Sequence, residues 1–389
     1  MTLSANWSYP TPVRIGAGRI SELADACRAA GMQRPLLVTD RGLASLDVTA
    51  RARAVLATMG PETGFYGGVA ANPDERQLQE GLEVYRAGGH DGVVAFGGGS
   101  ALDLGKLIAF MSGQTRPVWD FEDIGDWWTR ADPAGIAPSV AVPTTAGTGS
   151  EVGRAGVLVN SASHIKKIIF HPLILPKQVI CDPELTAGMP AAITAGTGLD
   201  AFAHCLEAYC SPHFHPMSQG IALEGMRLVR EYLPRAYTDG QDMEARTQMM
   251  AAAAMGAVAL QKGLGAIHAL SHPIGAVYDT HHGTTNAVVM PAVLHFNRPA
   301  IESRIEQAAA YLGIPGGFDG FVDEILRLRS LMAIPDTLAG QGVPDDRLDE
   351  LVDMALDDPS VGGNPVPMTR DNTRQLLEAC FQPTGTTRA

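Results

Sequence analysis

Asp200 and His204 stand four residues apart in GLDAFAHCLEAYC (198–210), a spacing that puts both side chains on one face of a helix. Four of the chain's eleven histidines, His268, His272, His281 and His282, then crowd into GLGAIHALSHPIGAVYDTHHG (263–283). His268 and His272 repeat the four-residue spacing, Pro273 is expected to end their helix, and His281 and His282 fall in a loop beyond it. One carboxylate and three imidazoles suit a borderline first-row divalent ion such as Fe(II) or Zn(II). With a coordination position left open, such an ion is a Lewis acid that polarises an alcohol or carbonyl oxygen. Spacing alone does not choose between His281 and His282, or between His268 and His272, as ligand.

A second chemistry is written earlier in the chain. The apolar run DGVVAF (91–96) leads into GGGSALDLGK (97–106), where glycines turn the chain sharply and the following helix offers its positive end to a pyrophosphate. Ser100 is placed to cap that helix. PTTAGTGSE (143–151) also follows an apolar run and supplies hydroxyls and small residues that let a ligand lie against the backbone. Asp40, closing PLLVTD (35–40), is suited to accept hydrogen bonds from a ribose 2′-hydroxyl and to repel a 2′-phosphate, which favours NAD over NADP. The acid precedes the glycine loop instead of following it by about twenty residues, so this is a variant of the usual dinucleotide fingerprint.

The elements that must position these groups differ between two halves. Residues 1–188 alternate buried apolar runs (35–40, 91–98, 138–145, 177–182) with amphipathic stretches such as 74–87 and 101–111, the pattern of an α/β domain with a mostly parallel, Rossmann-like sheet. Residues 189–389 carry Ala-, Leu- and Met-rich helical patterns at 194–209, 217–232, 242–260, 265–272, 284–294 and 299–312, and read as an all-helical metal-binding and substrate domain. A chain of 389 residues exceeds one core, so two domains are expected. The net charge of −13 excludes a nucleic-acid partner, since phosphate backbones are bound by clustered Lys and Arg. No signal-like start and no long apolar run occurs, and five scattered cysteines give no disulfide framework, so a cytoplasmic protein without membrane partners is expected.

These motifs resemble the iron-containing (group III) alcohol dehydrogenase family, within the dehydroquinate synthase-like superfamily. The likeness runs through GGGSxxDxxK at 97–106, PTTAGTGSE at 143–151, PxxxxxTGLDAxxHxxEAY at 190–209 and GLGAIHALSHPIGAxYDTHHGxxNAxxxP at 263–291. The resemblance implies Asp200, His204, His268 and His282 as metal ligands and His272 as a nearby catalytic imidazole facing cofactor and substrate. It also implies Asp40, Asn72, Gly97, Gly98, Gly99, Ser100, Asp103, Thr144, Thr145, Thr148 and Lys166 around the dinucleotide. One departure is visible, since Gly153 and Arg154 follow Glu151-Val152 where members more often have Thr and then a variable residue.

What the resemblance implies is reversible hydride transfer between NAD(H) and a primary alcohol or its aldehyde, in the cleft between two domains, with Fe(II), or alternatively Zn(II), polarising the substrate oxygen. A homodimer or higher homo-oligomer is expected on the same ground. The competing enzymes are a zinc-dependent polyol dehydrogenase, a maleylacetate reductase-like enzyme without metal and a dehydroquinate synthase-like lyase. The full Asp-His-His-His set weighs against the metal-free reductase.

Overall fold

The structure, a computed structural model, describes residues 11–163 and 165–383. The chain divides into two compact units, with the boundary after Gly188. The first unit carries β1 (Val13–Ile15), α1 (Leu23–Ala29), β2 (Pro35–Asp40), α2 (Asp47–Ala57), β3 (Gly64–Val69), α3 (Glu75–Ala87), β4 (Gly92–Gly97), α4 (Gly99–Met111), β5 (Ser139–Pro143), β6 (Ala155–Asn160), β7 (Ile165–Phe170) and β8 (Gln178–Cys181). Six strands form one sheet in the order β1-β8-β5-β4-β2-β3, every neighbouring pair parallel, while β6 and β7 make a separate antiparallel ribbon.

The apolar runs explain the sheet. In β2 and β4 alternate residues serve opposite faces: Leu36, Val38 and Val93 join Leu104, Leu107 and Ile108 of α4 in one core, and Leu37, Val94 and Phe96 join Ile20, Leu23 and Val140 in the other. A parallel strand covered on both faces has no polar side to show, which is why these segments read as unbroken hydrophobic runs. After β2 the chain moves outward to β3, whereas after β4 it moves the other way to β5. The carboxyl ends of β2 and β4 therefore flank the switch point of the sheet, where open α/β folds hold their ligands.

In the second unit all described regular structure is helical: α5 (Ala191–Cys210), α6 (Pro216–Thr238), α7 (Met243–Ala259), α8 (Ala266–Tyr278), α9 (His282–Leu312), α10 (Gly317–Leu331), α11 (Leu348–Leu356) and α12 (Arg370–Ala379), with short 3-10 turns between some of them. α5 is the central rod, packed by α6, α7 and α9. Its last carbonyls are held by two basic side chains. Arg304 donates to the carbonyls of Tyr209, Cys210 and Ser211 at 3.0, 3.0 and 2.8 Å, and the buried Lys262, its pKa pushed down to about 7 by burial, to those of Tyr209 and Ser211 at 3.0 and 2.6 Å. The Arg304 charge at this end complements the helix dipole, and both side chains satisfy carbonyls that have no partner within the helix.

Two sequence expectations are corrected here. Pro273 does not end its helix, because α8 continues to Tyr278; packing of α8 along α9 and α11 outweighs the one backbone hydrogen bond a proline removes. His282 is not in a loop but is the first residue of α9, with His281 as its N-cap, and α9 runs unbroken through Pro291 and Pro299 where two helices were read. Among the described residues no single helix is long and apolar enough to cross a membrane. The pair Met243–Lys262 and Ala266–Tyr278 reaches that composition only together and is bent by 109°.

Candidate active site

In the helical unit, the four-residue spacing on α5 brings Asp200 and His204 onto one face, with Glu207 on the next turn. His268 comes from the first turn of α8, and His282 from the first residue of α9. Gly283 permits the approach of α9 to α5, since a Cβ there would stand on the Gly196 carbonyl, 2.1 Å away, and 3.0 Å from the Asp200 Cβ. As a result Asp200 Oδ1 lies 3.8 Å from His204 Nε2, 3.6 Å from His268 Nε2 and 3.6 Å from His282 Nε2. The donor atoms of Asp200, His204 and His268 lie within 4.8 Å of one another, and His282 joins them through Asp200. An ion about 2.1 Å from each of four tetrahedral donors would set those donors about 3.4 Å apart, close to the three spacings from Asp200 Oδ1.

The electrostatics of Asp200 and His204 agree with that fit. The three imidazoles hold the Asp200 carboxyl far below its usual range although burial alone would raise it. Burial pushes His204 down to about 4, which favours the neutral, metal-binding imidazole. At His268 burial is overcome by Glu207 and Asp200, and its pKa rises to about 10. The Glu207 carboxylate accepts from the Ile267 N–H at 2.6 Å and meets His268 Nδ1 at 2.6 Å, so one buried acid both caps α8 and orients a donor ring. His204 Nδ1 is buried and finds no hydrogen-bond partner among the described residues.

His272, one turn beyond His268, stacks on His282 with ring centroids 5.2 Å apart, and both rings are partly exposed. Its Nδ1 is 2.8 Å from Asp358 Oδ2. Burial opposes charge on Asp358, but His272 and Ser360 overcome it and hold the carboxyl below its ordinary value. His281 is turned to a different task, its Nδ1 accepting from the Thr284 N–H at 3.3 Å at the start of α9.

In the sheet unit, the nucleotide-type loops gather at the switch point. Asp40 closes β2, its Oδ1 accepting from the Leu43 N–H at 2.9 Å. Gly97 closes β4 with φ of 141°, a conformation that side chains disfavour, and a Cβ there would stand 3.2 Å from Asp40 Oδ2 and 2.7 Å from the Ala101 Cβ. The Thr144 N–H donates to the Gly97 carbonyl at 2.9 Å, and the methyl groups of Thr145 and Thr148 lie over Gly98 and Gly99. Ser100 does not cap α4. The helix starts at Gly99 with Gly98 as N-cap, so Ser100 is already inside the first turn and its Oγ donates to the Ala71 carbonyl, tying α4 to the loop that holds Asn72.

Asp103 stands behind the second loop, accepting from Ser150 Oγ at 2.5 Å and the Val157 N–H at 3.0 Å. The buried Lys106 pairs with it at 3.3 Å and donates to the carbonyls of Ser150 and Ala155. Beside them burial pushes Glu151 up to about 7. Lys166 lies on β7 opposite Val159, in the antiparallel ribbon.

Sequence reasoning missed Glu207, Asn286 and Asp358. Glu207 sits in the same motif as Asp200 and His204, seven residues after the former, and Asn286 follows His282 by one helical turn; these spacings are legible signals. Asp358 is 86 residues from His272 and has no such signal.

The profile described as iron-containing alcohol dehydrogenase matches residues 10–183, and that of the Fe-containing alcohol dehydrogenase family, C-terminal, matches residues 194–381. The chain is 39% identical over 381 residues to a 4-hydroxybutyrate dehydrogenase of Cupriavidus necator, an alignment covering 95% of this chain and 98% of that one. It is 31% identical over 381 residues to an NAD-dependent methanol dehydrogenase of Bacillus methanolicus, covering 96% and 99%. The crystal structure of a 1,3-propanediol oxidoreductase superposes with a TM-score of 0.92 at 32% identity, covering 97% of this chain and all of that one. Its two units, its metal-type cage and these likenesses make the chain a member of the iron-containing alcohol dehydrogenase family, an oxidoreductase acting on CH–OH groups.

Proposed function

We propose that the protein catalyses reversible hydride transfer between a primary alcohol and NAD, giving the aldehyde and NADH, with a divalent ion, Fe(II) in the first instance, held by Asp200, His204, His268 and His282. The observation that carries this reading is the convergence of three imidazole nitrogens at 3.6 to 3.8 Å from one buried carboxylate oxygen. Held there, the ion supplies a Lewis acid that polarises the substrate oxygen and stabilises alkoxide character. Glu207 orients His268 for it, and a ligating imidazole fixed in this way is a better donor. His272 keeps Nδ1 against Asp358, which leaves Nε2 to accept the hydroxyl proton on oxidation and return it on reduction. The backbone of Gly97 to Ser100 and the start of α4 receive the pyrophosphate, with Asn72 and the threonines Thr144, Thr145 and Thr148 beside it. Asp40 takes the ribose hydroxyls, which selects NAD against NADP, and Lys166, on β7, completes that set. Asp103 and Lys106 brace the loop from behind.

The substrate panel starts from short primary alcohols and includes 4-hydroxybutyrate, because that is the compound in the name of the relative at 39% identity. NADH absorbance is followed with the corresponding aldehydes, on protein prepared without oxygen and loaded in parallel with Fe(II), Zn(II) or chelator. Ion-dependent NADH oxidation that disappears in Asp200→Ala is expected, and His272→Ala should depress turnover while metal content holds. Demonstrable NADH binding with no oxidation under any ion would sink the dehydrogenase reading and favour the lyase, which leaves NADH absorbance unchanged. A homodimer is proposed as well, supported by β1, a sheet-edge strand whose Val13 and Ile15 are each 39% exposed; sedimentation giving a 41 kDa species at micromolar protein would refute it.

A further inference from the structure

Asn286 is wholly buried on α9, one turn after His282, and its amide nitrogen reaches three of the four donor groups at once. Nδ2 donates to Asp200 Oδ1 at 2.8 Å and lies 3.2 Å from His282 Nε2 and 3.3 Å from His268 Nε2. Its Oδ1 is buried with no hydrogen-bond partner among the described residues. A buried amide chosen only to fill space would satisfy both of its ends, since an orphaned polar atom costs as much as a hydrogen bond gains. Here one end is left unmet and the other is directed at Asp200 Oδ1 and the facing ring nitrogens of His268 and His282.

We infer that Asn286 is a positioning residue that acts as a placeholder for the ion, its N–H donating to the Asp200 oxygen that a divalent cation would take while Nδ2 stands against the ring nitrogens of His268 and His282. The inference rests on the reading of those residues as metal ligands. A hydrogen bond to Asp200 Oδ1 competes with an ion for the same oxygen, so the amide favours the protein lacking the ion over the protein carrying it. Asn286 thereby sets the affinity from below, keeping the donors together while making the ion easier to release.

The test uses the full chain, with Zn(II) and Co(II) as probes, and reads metal affinity by chelator competition, the Co(II) absorption spectrum, and melting temperature with and without the ion. Asn286→Ala should lower the melting temperature of the chelated protein, spare that of the loaded protein, and tighten Zn(II) binding about tenfold, the worth of one net hydrogen bond. Asn286→Asp, with a carboxylate oxygen where the amide nitrogen stood, should tighten binding further and change the Co(II) spectrum by adding an oxygen donor. If the two melting temperatures fall together and the dissociation constants stay at the wild-type value, Asn286 is a core residue and the inference is overturned. It is equally overturned if the loaded protein loses more stability than the chelated one. Asp200→Ala separates the two readings: Zn(II) binding that survives it refutes the metal site itself, whatever the Asn286 variants do.

Discussion

Glu207→Gln is the sharpest probe of how the cage is built. The wild-type carboxylate is buried and accepts on both oxygens, from the Ile267 N–H and against His268 Nδ1, each at 2.6 Å. Glutamine has the same shape but one acceptor end and one donor end. Whichever way the amide turns, a donor faces a donor: either the Ile267 N–H is orphaned at the start of α8, or His268 loses the partner that fixes its ring. An orphaned buried N–H costs about 1–3 kcal/mol, and removing a negative charge from a helix N-terminus costs about another 0.3–1 kcal/mol. The expected loss is then roughly 1.3–4 kcal/mol of stability, a fall of roughly 3–16 °C in melting temperature for a unit of this size. Loss of the partner behind a ligating imidazole weakens metal binding by about 10- to 100-fold, or about 1.4–2.7 kcal/mol. Zn(II) affinity by competition with a chromophoric chelator, read beside the melting temperature of the loaded and chelated protein, measures both. A variant that melts earlier yet binds Zn(II) as tightly as wild type would refute the orienting role and leave Glu207 as a helix cap alone.

Two further outcomes follow from groups outside the cage. Asp358→Asn should lower kcat by about 10- to 100-fold while KM and metal content stay close to wild type, because the amide no longer fixes the Nδ1 proton of His272; an unchanged kcat would detach Asp358 from the proton path. Glu151, raised by burial from 4.5 to about 7, keeps its proton in the folded chain at a pH where the unfolded chain has lost it, so its contribution to stability declines as pH rises from about 4.5 to about 7. Glu151→Gln removes that dependence, and relative to wild type it should be up to about 3 kcal/mol more stable at pH 8 than at pH 5 by chemical denaturation; equal differences at the two pH values would contradict the buried-acid account.

The parts of this molecule that could be read from sequence are those where one local rule decides. The buried strands β2, β4, β5 and β8 announce themselves as apolar runs, and Asp200 with His204 as a helical spacing. β3 was hidden because three of its six residues are glycine, which has little strand preference of its own and is held there by pairing with β2. β1 is only three residues long, and β6 and β7 hold a ribbon outside the main sheet, where no α/β alternation points to them. Pro273 misled for the opposite reason: the local rule ends a helix there, and packing of α8 against α9 and α11 carries it through. The choice of His282 over His281 needed the tertiary structure. Only the start of α9 against α5 turns one ring to Asp200 and the other to the helix cap.

The double grip of Arg304 and Lys262 on the end of α5 has a mechanical meaning for the site. Asp200, His204 and Glu207 are rigidly strung on that one rod, and a slip by a single residue would carry all three about 1.5 Å along its axis, enough to break every spacing in the cage at once. The two side chains act as an axial stop that registers the rod at its carboxyl end, just past Glu207 and ten residues beyond Asp200. Precision at the proposed metal donors is therefore set partly by residues outside the cage, at the carboxyl end of the same rod.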